Sequence, residues 1–196
     1  MRLDHAIIDR WIKPGARVLD LGCGDGTLLQ QLALSKKIRG YGLEIDSANI
    51  QRCAEKGLNV IEHNIDEGLH NFEDKSFDTV IMSQTLQTMY YPDKILAEML
   101  RVGRECVVTF PNFGHYKARL QLLFKGRMPV SEFLPYEWYN TPNIHFCTLN
   151  DFEVMCQQLN MTVLDRLVVT RNEKLPLSKL LPNLLGETGI YRVTRP

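Results

Sequence analysis

The stretch RVLDLGCGDGTLLQQL, at positions 17–32, constrains the fold more than any other part of the sequence. An apolar, strand-like segment runs directly into Gly22, Gly24 and Gly26, and a segment with leucines at helical spacing follows. Glycine loses more backbone entropy on ordering than any other residue, so glycines this close together indicate that something must approach the main chain closely. The pattern predicts a strand–turn–helix unit with a ligand lying against the turn.

Strand-like and helix-like segments alternate along most of the 196 residues. We predict seven strands, at about 16–22, 38–45, 58–65, 76–84, 105–112, 161–170 and 188–196. Helices are predicted at about 27–35, 47–57, 91–102 and 148–160. Ser47 and Thr148 are the predicted N-caps, Gly57 is a predicted helix stop, and 171–187 is a predicted short loop or helix. The alternation indicates right-handed crossovers, so the predicted fold is one α/β domain at 1–196, built on a doubly wound, seven-stranded, mostly parallel sheet.

One segment, at about 112–147 and called the insert below, interrupts this alternation. It is rich in proline and aromatic residues, and its sequence follows neither the helical nor the strand period. A long irregular stretch inside a compact domain is usually functional or disordered, and the aromatic content argues against disorder. We therefore predict an irregular, aromatic and basic insert within the domain.

The first part of the insert and the strand before it are also basic. Between positions 101 and 127 the basic residues are Arg101, Arg104, Lys117, Arg119, Lys125 and Arg127, and the only acid is Glu105. Leu120, Leu122, Leu123 and Phe124 lie among these charges. Two interpretations stay open: a solvated basic face, or a surface on which a partner protein docks.

An acidic residue at the end of the second predicted strand indicates a ligand with a ribose, which dinucleotides and other adenosine ligands share. Ligands of open parallel sheets lie beyond the carboxyl ends of the strands, and Glu44 lies there, 22 positions after Gly22. A carboxylate at this place can accept hydrogen bonds from both ribose hydroxyls, whereas the strand alternation points Asp46 elsewhere. The glycines are spaced GxGxG rather than the GxGxxG of dinucleotide-binding turns, and Asp20 and Asp25 bracket them. Carboxylates disfavour a pyrophosphate and favour a cationic ligand.

Four successive stretches, VLDLGCGDG, GLEID, HNID and FDTVIMSQTLQ, resemble the motifs of class I S-adenosylmethionine-dependent methyltransferases. The resemblance covers nearly the whole chain and implies the seven-stranded, Rossmann-like fold of that class. It implies S-adenosylmethionine or S-adenosylhomocysteine as the ligand. Gly22, Gly24 and Gly26 would lie against its methionine and ribose parts, and Asp20 would help to hold its amino group.

The same resemblance assigns the remaining contacts of the ligand. Glu44 would bind the ribose hydroxyls, and Ile65 with Asp66 would line the edge of the adenine. Ser83 and Gln84 would lie near the sulfonium.

A second set of stretches resembles one family in particular. SQTLQ, FPNFGHYKARLQLLFKGRMPVS, WYNTPNIHFCTLNDF and NLLGETGIYRVTRP are similar to the methionine biosynthesis protein MetW family. That resemblance implies a role in methionine synthesis as an accessory subunit that associates with and activates homoserine O-acyltransferase, of succinyl or acetyl specificity. The aromatic and basic residues of the insert make it the predicted contact surface. The alternative is a methyltransferase that acts on a small molecule, with the insert as a lid over the substrate.

No catalytic residue is predicted. Methyl transfer from a sulfonium depends mainly on in-line placement of the acceptor, so the lack of an evident general base decides little. SQTLQ stands where amino-group methyltransferases carry NPPY or DPPY, and no PCQ motif for pyrimidine methylation occurs. His115 and His145 are candidate bases, although a surface or hydrogen-bonded structural histidine is the competing interpretation.

Composition argues against several other functions. Lys+Arg and Asp+Glu both number 23, so the chain lacks the positive charge expected of a nucleic-acid-binding protein. No apolar stretch approaches the roughly 20 residues that span a bilayer, and the first residues lack the apolar run of a signal peptide. The five cysteines form no CxxC pair and the histidines form no ligand cluster, so we expect no metal and a reducing, cytoplasmic environment.

Overall fold

The computed structural model describes residues 2–170 and 180–195. Its strands are β1 (Arg17–Leu21), β2 (Arg39–Glu44), β3 (Asn59–Glu62), β4 (Phe77–Ser83), β5 (Gly103–Pro111), β6 (Thr162–Val169) and β7 (Thr188–Thr194). Its helices are α1 (Leu3–Trp11), α2 (Thr27–Lys36), α3 (Ser47–Glu55), α4 (Pro92–Val102), α5 (Tyr116–Lys125), α6 (Leu149–Gln158) and α7 (Pro182–Leu185), with 3-10 turns at Ile65–Glu67 and Leu86–Thr88.

The strands within these ranges form one seven-stranded sheet in the order β3-β2-β1-β4-β5-β7-β6. The first five strands in this order, β3, β2, β1, β4 and β5, are parallel to one another, and β7 runs antiparallel to both β5 and β6. The chain therefore begins at the centre of the sheet and extends first to one edge and then to the other. This topology confirms the predicted doubly wound, mostly parallel α/β fold.

Successive residues of the central strands pack on opposite faces of the sheet, which explains the near-continuous apolar runs. Val18 belongs to a cluster with residues of α1 and α2, such as Ile8 and Leu29. Leu19 belongs to the cluster on the other face, which includes Phe152 of α6. Because both faces are covered by helices, both sets of alternating side chains are apolar.

Helix α1 was not predicted from the sequence. Its apolar residue Ile8 is fully buried, but the residues one turn earlier on the buried face, Asp4 and His5, are polar and obscure the helical period. Two of its polar residues are buried with partners, since Asp4 pairs with Arg2 at 2.6 Å and the His5 ring lies 3.3 Å from the Gln31 amide oxygen. Burial lowers the pKa of His5.

Several predicted boundaries need correction. The N-cap of α3 is Asp46, whose carboxylate accepts from the Asn49 amide at 2.9 Å, and Ser47 is the first helical residue. β5 begins at Gly103 rather than at about 105, and Cys106 lies inside it, fully buried. Thr148 does open α6, through a capping box with Asp151.

The connections before β5 and β7 also differ from expectation. The insert contains the ten-residue helix α5, so the prediction of an irregular segment is wrong for Tyr116–Lys125. In the 171–187 connection the structure shows the short helix α7, and residues 171–179 lie outside the described residues. None of the helices within the described ranges has both the length and the apolar character needed to cross a bilayer.

Candidate ligand-binding site

The turn between β1 and α2 has the left-handed backbone that its glycines allow. Gly22, Gly24 and Gly26 have φ values of 70°, 55° and 74°. The Gly22 and Cys23 amides donate to the Leu43 carbonyl at 2.9 and 3.1 Å, which fastens the turn to the end of β2. A side chain at Gly22 would meet Thr85 at 2.7 Å, whereas one at Gly24 would meet nothing within 4 Å in the described structure. The open space that a ligand could use is therefore at Gly24.

The carboxylate of Glu44 faces this turn. Its Oε2 accepts from the Gly24 amide at 2.8 Å, and its Oε1 accepts from the amides of Ile45 and Asp46 at 2.8 and 3.0 Å. Glu44 is buried, with 8% of its surface exposed. Each carboxylate oxygen can accept two hydrogen bonds, so Oε2 keeps capacity for a donor from a ligand. The sequence pattern placed Glu44 at this edge but did not foresee that it also holds the turn.

Asp20, next to the end of β1, has an unsatisfied buried carboxyl group. Only 2% of the residue is exposed, and its Oδ1 finds no hydrogen-bond partner among the described residues. Burial, followed by the nearby charge of Glu44, raises the pKa of Asp20 to about 7. A buried carboxylate without a donor is costly, and a cationic or hydrogen-bond-donating ligand would relieve that cost.

Asp25, the other acid that brackets the turn, already has a cationic partner. Lys56 Nζ donates to Asp25 Oδ2 at 2.9 Å, to the Asp25 carbonyl at 2.6 Å and to Thr27 Oγ1 at 3.2 Å. The hydrogen bond from Lys56 is the main reason why the pKa of Asp25 falls to about 2. Asp25 therefore ties the turn to α3 instead of facing a cationic ligand. Lys56 is 31 residues from Asp25, and no local pattern pairs the two.

Ile65 and Asp66 lie in the 3-10 turn that follows β3. Ile65 is buried, and Asp66 Oδ1 accepts from the Tyr90 amide at 2.9 Å. The His63 amide donates to the Glu44 carbonyl at 3.0 Å, which holds this turn beside the end of β2.

Ser83 and Gln84 lie at the end of β4, on the other side of β1. The Gln84 amide donates to Thr109 at its carbonyl (2.9 Å) and at its Oγ1 (3.0 Å), and Ser83 Oγ lies 3.3 Å from the same hydroxyl. Gln84 has a left-handed φ of 59°, which is uncommon for a residue other than glycine. The sheet order thus brings all the predicted ligand contacts to the carboxyl ends of four adjacent strands.

The two candidate histidines occupy different surroundings. His115 is buried, its Nδ1 accepts from the Lys117 amide at 3.3 Å as the N-cap of α5, and its ring packs edge-on against Phe133. Burial lowers the pKa of His115. His145 is exposed, and its backbone amide donates to the Gln87 carbonyl at 3.0 Å. His115 is thus the N-cap of α5. Among the described residues, no three or more His, Cys, Asp or Glu side chains are grouped so that they could hold a metal ion.

A cleft of about 370 Å³ opens at the same edge of the sheet, beside Gln84. Arg2, Asp4, Phe133 and Glu187 are among its lining residues, so α1, the insert and the start of β7 all border it. Sequence reasoning missed this cleft because α1 was not predicted.

The insert presents an unusual amount of apolar surface. Helix α5 has a single buried residue, Ala118, and exposes Leu123 by 73% and Phe124 by 78%. Trp138 and Tyr139 are exposed by 71% and 70%. Exposed apolar patches of this kind mark sites where proteins associate.

Basic side chains lie in α5 and directly after it. They are the exposed residues Lys117, Arg119, Lys125 and Arg127. Large apolar side chains beside arginine and lysine favour a partner surface that is apolar with an acidic rim.

Comparison with known proteins identifies related sequences and structures. A family model described as methionine biosynthesis protein MetW matches residues 2–193. A bifunctional methionine biosynthesis protein MetXA/MetW from Rhodopirellula baltica is 36% identical over 173 residues. The match covers 83% of this chain but 28% of that relative, so the chain spans little more than a quarter of its length.

Solved structures show the same fold at low sequence identity. An S-adenosylmethionine-dependent methyltransferase from Mesorhizobium loti superimposes with a TM-score of 0.71 at 16% identity and 98% coverage of both chains. One from Archaeoglobus fulgidus has a TM-score of 0.68 at 17% identity and covers 98% of this chain and 93% of its own. The fold is therefore that of the Rossmann-like methyltransferases.

Proposed function

Since the chain belongs to the methionine biosynthesis protein MetW family, we propose that it is an accessory subunit of homoserine O-acyltransferase in the cytoplasm. In this proposal it binds S-adenosylmethionine or S-adenosylhomocysteine at the glycine turn and associates with the acyltransferase, succinyl or acetyl, through the insert. The main support is the exposed apolar and basic surface of the insert. The Rhodopirellula relative adds support, because its name joins MetXA, which we take to be the acyltransferase, to MetW in one chain.

The charges at the turn fit an adenosyl sulfonium ligand better than a dinucleotide. Asp20 has a buried oxygen in need of a donor, which the amino group of the ligand would supply. Glu44 Oε2, which can accept one more hydrogen bond, would accept it from a ribose hydroxyl. Asp66 Oδ2 would accept a hydrogen bond from the adenine amino group, since Oδ1 already accepts from the Tyr90 amide. Asp20, when ionised, would repel a pyrophosphate, whereas Glu44 suits any adenosine ligand because dinucleotide-binding folds carry an acid at the same place. S-adenosylmethionine itself would supply a positively charged sulfur that carries a transferable methyl group, whereas the sulfur of S-adenosylhomocysteine is neutral.

The proposed contact with the acyltransferase involves the exposed side of α5 together with Trp138 and Tyr139. Aromatic and leucine side chains that are more than two-thirds exposed, as Leu123 and Phe124 are, gain free energy when a partner covers them. The basic residues around them would pair with acids at the rim and steer the approach of the partner.

The alternative function is methyl transfer to a small molecule. The cleft of about 370 Å³ beside Gln84 favours it, since this cleft borders the expected position of the sulfonium and is large enough for a small metabolite. Phe133 would then act as part of a lid. Release of S-adenosylhomocysteine from S-adenosylmethionine in the presence of a metabolite would favour this alternative.

The test combines an acylation assay with size-exclusion chromatography. The purified protein is mixed with homoserine acyltransferase, homoserine and acyl-CoA, and we expect a faster acylation rate and co-elution. Phe124→Asp should abolish both effects. Leu34→Asp is the matched control, because Leu34 on α2 is exposed by 79%, close to the 78% of Phe124. An unchanged rate and unchanged elution with the wild-type protein would refute the proposal.

A further inference from the structure

Residues 84–88, called the bridging loop below, contact both the glycine turn and the insert. On one side, the Thr85 side chain packs against Gly22, where an added Cβ would lie 2.7 Å from Thr85 atoms. On the other side, the Gln87 carbonyl accepts from the amides of Ile144 and His145 at 2.8 and 3.0 Å. The bridging loop therefore joins the ligand-facing turn to the returning end of the insert through direct contacts.

Gln87 holds the bridging loop in its conformation through its side chain. Its Nε2 donates to the Gln84 carbonyl at 2.7 Å, and the residue is 93% buried, with 7% of its surface exposed. Its Oε1 has no hydrogen-bond partner in the part of the chain that the structure describes. A buried amide oxygen without a donor costs free energy, so a rearrangement that supplies a donor is favoured.

Backbone strain at Gln84 adds to the cost of the unpartnered Gln87 oxygen. Gln84 has a φ of 59°, and residues other than glycine in this region are held there by the surrounding structure. The strained residue and the unsatisfied buried oxygen are joined by one hydrogen bond, so a ligand beside Gln84 that relieved either cost would favour a second arrangement of the bridging loop.

The returning end of the insert lies beside the segment that carries part of the exposed apolar surface. The Phe146 ring packs on Phe113 at a centroid distance of 4.5 Å, and both rings line a small cavity together with Trp138 and Tyr136. Movement of the backbone at Ile144 therefore acts on the segment that carries Trp138.

We propose that Gln87 is a positioning residue that couples ligand binding at the glycine turn to the conformation of the insert, an inference that rests on the proposed adenosyl ligand. In this proposal the ligand contacts Gln84 and changes its conformation. The hydrogen bond between Gln84 and Gln87 then moves Gln87, and the amides of Ile144 and His145 move with the Gln87 carbonyl that they bind. Because such coupling is reciprocal, a partner that binds the insert changes the affinity for the ligand by the same factor. The adenosyl ligand thereby regulates the docking surface.

The test uses the full chain alone and S-adenosylhomocysteine as the probe. Calorimetry first establishes binding, and amide hydrogen exchange then follows Ile144 and His145 with and without the ligand. We expect the ligand to slow exchange of both amides by at least about fivefold, the lower end of typical coupling strengths. Gln87→Met, which removes the donor but keeps the length of the side chain, should remove this effect while the protein still binds the ligand.

The matched control is Gln158→Ala, at an exposed glutamine of α6, which should keep the full slowing. Binding without any change in exchange at Ile144 and His145 would overturn the coupling and leave the ligand site intact. Full slowing in Gln87→Met would show that Gln87 does not carry the coupling. Absence of binding to the wild-type protein would overturn both the coupling and the proposed ligand.

Discussion

Replacement of Asp20 by asparagine should change how the stability of the ligand-free protein depends on pH. The buried carboxyl has a pKa of about 7 in the folded chain, against 3.8 for an unperturbed aspartate. Because the folded-state pKa is raised, the stabilisation from the protonated form is complete below about pH 4 and is lost as the pH rises to about 7. At about 1.4 kcal/mol for each pH unit between the two values, the loss is roughly 4 kcal/mol. Because asparagine cannot ionise, the unfolding free energy of Asp20→Asn should not decrease in this way as the pH rises.

Urea unfolding of both proteins between pH 4 and pH 8 measures the effect. The unfolding free energy of Asp20→Asn minus that of the wild type should increase by roughly 4 kcal/mol over this range, with most of the increase below pH 7. Asp93→Asn, at an exposed acid in the first turn of α4, is the control for a general change in charge. If the unfolding free energies of the wild type and Asp20→Asn changed in parallel with pH, burial of the Asp20 charge would cost nothing. The Asp20 carboxylate would then have no need of the ligand amino group, which would refute that assignment.

Three further substitutions test other contacts. Glu44→Ala should weaken the binding of S-adenosylmethionine by about 1.5–3 kcal/mol in calorimetry, the value of a hydrogen bond to a charged group, and an unchanged affinity would place the ribose elsewhere. Lys56→Met should raise the pKa of Asp25 from about 2 toward its ordinary value, which NMR titration of the carboxyl carbon detects; a constant pKa would mean that the ion pair does not form in solution. Thr148→Ala should destabilise the protein by about 1 kcal/mol in urea unfolding because the N-cap of α6 is lost, and equal stability would argue against the capping box.

The fold was predictable because its signals are local. The apolar runs of β1, β4 and β5 follow from burial on both faces, and the glycines between β1 and α2 mark a turn that only left-handed backbone can make. Since parallel strands end at the same edge, the sequence also indicated that Glu44 would lie near the glycine turn, and the family resemblance added Gln84.

What the sequence did not predict depends on contacts between distant residues. Helix α1 packs on α2 with polar residues on the same face as its buried Ile8, and α5 has too little buried surface to show a helical period. The pairing of Lys56 with Asp25 and the packing of Thr85 on Gly22 arise only when separate elements meet. The bridging loop likewise shows its link to the insert only in three dimensions.

The most direct test of the adenosyl site is an NMR titration of the ligand-free protein with S-adenosylhomocysteine at pH 8, following the Gly24 amide. That amide donates to Glu44 and lies where the turn has open space. We expect its signal to shift and saturate at one equivalent of ligand. A Gly24 signal that stays in place at millimolar ligand would contradict the proposed site.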